Sequence, residues 1–176
     1  MITQLNATYV PLEDRVLFKF NTSDSNEFRL WLTRNMVREI MSVCSVAAVK
    51  AQELQHPVAQ AQSIAEFKQQ AVEQATTFTE YKPADTCPLG EAPVLVSRLQ
   101  MRIEGPQYVL VLGLVIGKDL TLRMNEDLLA KTRLLLNTIQ EKAQWGVVLN
   151  AQPALTAEPA GKEAALPNAA PTKLLH

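Results

Sequence analysis

Tyr108, Leu110 and Leu112 stand 92 positions after Val16, Phe18 and Phe20, and Leu120, Leu122 and Met124 stand 92 after Phe28, Leu30 and Leu32. An alternation that returns in phase over two successive runs constrains the fold strongly. A slip of one residue would turn every apolar side chain to the opposite face of its sheet. The offset carries on to Thr33 and Asn125, both helix-capping types, with no gap. An extra strand is expected before each hairpin, at residues 5–10 and 94–103. These features predict two pseudo-symmetric βββα units, over about 5–55 and 94–146. The expected fold class is α+β, with an antiparallel sheet packed against helices, since two copies are too few for a solenoid.

Local signals fill in the units. The runs RVLFKF and EFRLWLT flank Asn21-Thr22-Ser23-Asp24-Ser25-Asn26, a segment of turn formers, and so read as a hairpin. After Thr33, the spacing of Met36, Val37, Ile40, Met41, Cys44 and Ala47 predicts a helix over 34–55, broken at His56-Pro57. An extra helix over 59–78 is expected to turn Ile64, Phe67, Ala71, Val72, Ala75 and Phe78 toward the core. Residues 79–93, with three prolines and one glycine, read as a connector. Residues 108–116 are apolar on both faces, which predicts a strand that is central or covered on both sides. Asn125-Glu126-Asp127 supplies a cap and two acids for a last helix ending near Trp145-Gly146.

The 176 residues are 47% hydrophobic and 20% charged, enough for one domain over 1–150 with a real core. Residues 151–176 hold eight Ala, four Pro and no aromatic, and read as a disordered Ala/Pro-rich tail. Seventeen basic against eighteen acidic side chains leave a net charge of -1, so no global field draws the chain to nucleic acid or anionic membrane. No stretch is apolar enough to span a bilayer, and the first ten residues lack the pattern of a signal peptide. The expected compartment is therefore the cytoplasm, with no membrane partner.

Candidate chemistry is sparse. His56 adjoins a helix-breaking proline and His176 is the last residue. Cys44 lies in a helix and Cys87 in a loop, without a CxxC partner, and no cluster has metal-ligand spacing. The six glycines are scattered, so no phosphate-cradling loop is present, and no cofactor is expected. The carboxylate pairs Glu13-Asp14 and Glu126-Asp127 are accounted for as turn and capping groups. No catalytic or metal-binding residue is assigned.

What remains is surface. The sheet face opposite the helices should carry Leu17, Lys19, Arg29, Trp31, Arg98, Arg102 and Arg123. Leu17 and Trp31 are candidate partner-binding residues, joined by Leu174 and Leu175 of the terminal Lys173-Leu174-Leu175-His176 segment. The general plan is similar to that of some bacterial secretion chaperones and adaptors, by analogy of architecture. The expectation is a non-catalytic cytoplasmic protein-interaction module (adaptor, regulator or chaperone-like), homodimeric because its apolar faces need covering. The alternative is a single-stranded nucleic-acid binder. Lys19, Arg29, Arg98, Arg102 and Arg123 would hold phosphates while Trp31 stacks a base.

Overall fold

The structure is a computed structural model that describes residues 1–146; the expected tail, with Leu174 and Leu175, lies outside the described residues. Strands β1 (Ile2–Val10), β2 (Arg15–Thr22) and β3 (Glu27–Thr33) are followed by helices α1 (Arg34–Glu53) and α2 (Val58–Ala75). Then come β4 (Val94–Glu104), β5 (Gln107–Leu114), β6 (Asp119–Met124) and α3 (Glu126–Lys142). The six strands form one mixed sheet in chain order, mostly antiparallel. Among the described residues no helix is long and apolar enough to cross a membrane.

The sheet departs from the expected antiparallel arrangement at its middle. There β3 runs parallel to β4, paired only through Leu30 with Val94 and Trp31 with Leu95. A parallel neighbour requires a crossover, which α1, α2 and the connector supply. Sequence alternation could not show this joint, because it reports the face of a residue and not which strand lies beside it.

The hairpins have matching registers. Val16 faces Leu32 and Phe20 faces Phe28, while Tyr108 faces Met124 and Leu112 faces Leu120, the same pairs 92 positions on. The first strands are two residues out of that step: Phe20 faces Leu5 and Leu112 faces Leu99, and 5 to 99 is 94. An even slip keeps the same face toward the core. Both helix caps form as expected, the Met36 amide donating to Thr33 Oγ1 (3.2 Å) and the Leu128 amide to Asn125 Oδ1 (2.8 Å).

One core joins the inner face to the helices, through Val16, Phe18, Leu30, Leu32, Leu110, Leu112 and Leu122 against Val37, Ile40, Cys44, Leu129, Leu136 and Ile139. Helix α1 lies against β4 more than against β3, and α3 against β1 more than against β5 or β6. Each helix thus covers the opening strand of the other half. Strand β5 is flanked on both edges, and Val109 and Leu110 are buried on its opposite faces, in keeping with its two-sided apolar pattern.

Two helix expectations are corrected. Helix α3 stops at Lys142, with Gln144 as well as Gly146 in the left-handed region (φ 54° and 61°). That reversal brings Trp145 back to donate to Asp14 Oδ1 at 2.8 Å, beside the Tyr9 hydroxyl donating to the same oxygen at 2.9 Å. Helix α2 ends at Ala75, leaving Phe78 in the connector, and buries Ala61 and Ala65 rather than its expected apolar face. Small residues let α2 approach α1 closely, and the larger apolar side chains are left on its flank.

Candidate functional site

The outer face of β2 and β3 carries cross-strand rows Asn21–Glu27, Lys19–Arg29 and Leu17–Trp31. The connector covers the first two. Asn21 Nδ2 donates to the Lys82 carbonyl (2.6 Å), and the Tyr81 hydroxyl donates to Asn21 Oδ1 (2.6 Å). The Ala84 amide donates to Glu27 Oε2 (3.1 Å), and the Glu27 amide donates to the Thr86 carbonyl (2.7 Å). Lys19 Nζ sits 4.6 Å from the centre of the Tyr81 ring. Arg29 donates from Nε to Glu27 and from a terminal nitrogen to the Glu91 carbonyl (2.9 Å).

Glu27 is only 1% exposed, so the balance of its environment matters. Burial alone pushes its carboxyl up. The Arg29 guanidinium, the Ala84 amide and the Lys19 charge outweigh this and hold it below the usual carboxylate range. Burial pushes the Tyr81 phenol well above its ordinary value, with the Glu27 charge adding to it. The cluster is a neutral hydroxyl, a carboxylate and two cations in mutual contact, and it straps residues 81–91 over the sheet.

The later arginines are engaged as well. Arg98 pairs with Asp119 at 2.7 Å, and both flank Gly113 in the register. A Cβ on Gly113 would lie 2.2 Å from the Arg98 Cγ, so glycine makes room for that crossing. Arg102 and Arg123 flank Val109 and converge on Glu104 at 3.5 and 2.7 Å. Their stems lie beside a fully buried valine while their heads are neutralised. Each cation named for nucleic acid therefore has a partner within the protein. Leu17 and Trp31 face each other, half-buried, with Trp31 also beside Leu95 at the parallel joint.

Larger apolar exposure lies elsewhere. Phe67 is 72% exposed and shares a flank of α2 with Ile64, Ala71 and Ala75 at helical spacing; Leu54, just before α2, and Val58, its first residue, are exposed as well. Beside Phe67, a cavity of about 430 Å³ opens between α2 and α3 over Ala48 of α1. A second cleft of about 360 Å³, lined by Thr3, Gln4, Thr76, Arg123 and Lys131 among others, lies where β1 and β6, the outer strands, approach each other.

Sequence reasoning missed Asn21, Glu27 and Tyr81 as a group. Glu27 stands in phase with Arg29 and Trp31, but its burial comes from a segment some 60 residues away with no periodicity of its own. Phe67, expected to face the core, lies at the surface instead. Among the described residues no group of three or more His, Cys, Asp or Glu could hold a metal ion. No family model, no curated protein and no solved structure matches the chain.

Proposed function

We propose that this protein is a non-catalytic protein-interaction module of the cytoplasm, an adaptor, regulator or chaperone-like partner, that pairs as a homodimer and docks through α2. The observation that carries this reading is the stripe of half-buried Ile64 and exposed Phe67, Ala71 and Ala75, with Phe67 72% exposed at the middle of the helix. A contiguous apolar helix face at the surface is stabilised when another apolar face covers it. The basic face offers less, since its cations are already paired within the fold. We further read the β1–β3–α1 and β4–β6–α3 segments as duplicated βββα units, on the strength of the shared hairpin register and cap positions.

Sedimentation equilibrium tests the homodimer. The wild type is expected to be dimeric at micromolar concentration, and Phe67→Asp monomeric with unchanged circular dichroism, because a side chain this exposed contributes little to the fold. A wild type that stays monomeric at every concentration would overturn the homodimer.

A further inference from the structure

The cavity between α2 and α3 has an apolar wall of Ala65, Phe67, Val72, Leu129 and Ala130, and Arg133 also lines it. Arg133 Nε is shut off from solvent with no hydrogen-bond acceptor, and among the described residues no carboxylate lies within ion-pairing distance of the guanidinium. The acids that line the cavity are occupied. Glu126 accepts from Lys68 (2.9 Å) and from Gln52 (2.9 Å), and Asp127 accepts from Lys131 (2.7 Å). Glu73 acts on Arg133 only through its field, and accepts a hydrogen bond from Gln69 (3.0 Å). The Cys44 thiol, also close enough to feel the guanidinium, is pushed up to about 12 by burial and so stays neutral. A half-buried cation without a counter-ion is unfavourable, and a ligand that brings a carboxylate removes that cost.

We propose that this cavity binds a free aliphatic carboxylate, with the Arg133 guanidinium receiving the head group and the apolar wall receiving the chain. A volume of about 430 Å³ lies within the range of small-molecule sites, roughly 300–1,000 Å³. The small lining residues Ala48, Ala65 and Ala130 suit an unbranched chain. The site stands on the cavity and its unpaired cation; Phe67 and Ala71 line it and also belong to the proposed docking stripe, so the variants that test it change neither of them.

Isothermal titration of the full chain with sodium decanoate, kept below its micelle concentration, tests the proposal. Decanol supplies the chain without the charge, and acetate the charge without the chain. One decanoate should bind per chain, with decanol and acetate each weaker by about tenfold or more. Arg133→Met should weaken decanoate binding by a similar factor, and Arg133→Lys should retain part of it. Val72→Trp, at a half-buried lining position outside the docking stripe, should block the cavity. Absence of decanoate binding, equal binding by Arg133→Met, or undiminished binding by Val72→Trp would each overturn the proposal, and none bears on the oligomeric state.

Discussion

Glu27 shows how a single residue ties a distant segment to the sheet. Its carboxylate takes hydrogen bonds from Arg29 and from the Ala84 amide, so Glu27→Ala leaves two donors without their acceptor. The expected cost is about 2 kcal/mol, measured by urea denaturation, because an orphaned buried donor costs more than an average hydrogen bond contributes. The folded carboxyl is held below its unfolded value. Its contribution is therefore present above the unfolded pKa, about 4.3, and is lost as the pH falls through the folded value. The stability gap between wild type and Glu27→Gln should accordingly narrow as the pH is lowered below about 4, and a gap that widened would contradict the assignment. The cysteines differ in the same physical terms. Cys44 is buried and its thiol pushed up to about 12, whereas Cys87 is partly exposed. A disulfide reagent should titrate one thiol in the native protein and two in denaturant. Cys44 was legible as a helix position facing the core, but the Glu27 cluster was not, because local pattern carries no information about what crosses over a sheet face.

At the scale of elements, the caps are where sequence and structure agree most closely. Thr33 and Asn125 each accept from the amide three residues on, and replacing either by alanine should cost about 1 kcal/mol in chemical denaturation. Hairpin phase was equally legible, since Val16, Phe18, Phe20, Leu30 and Leu32 alternate and all are buried. Helix α2 shows the limit. Its periodicity marks an apolar face correctly, yet periodicity does not say whether the partner of that face belongs to the same chain. Helix α2 packs on α1 and α3 with Ala61 and Ala65 buried, Lys68 and Gln69 reaching Glu126 and the Ala130 carbonyl of α3, and Phe67 left outside. The end of α3 is a second case. Gly146 was the expected stop, but the left-handed turn begins at Gln144, so that Trp145 can reach Asp14 and stand edge-on to Tyr9 at 5.6 Å.

For the whole molecule, the two halves are held by more than their shared sheet. The β3–β4 joint is only two residue pairs long, while α1 crosses onto β4 and α3 onto β1. That exchange of helices lets a short parallel joint suffice. It was not visible in a sequence whose alternation specifies each hairpin but not how the hairpins meet. The exchange also uses α1 and α3 to cover the sheet, which leaves α2 as the helix whose apolar flank has no covering element among the described residues. The most direct test places a photo-activatable phenylalanine analogue at position 67 of the full-length protein, with a control at the exposed polar position Gln62, and irradiates the source cells. The account expects a discrete protein adduct, a second copy or another chain, from position 67 and none from position 62. Irradiation that gives no adduct at position 67, or the same diffuse adducts from both positions, would contradict the claim that α2 is a docking surface.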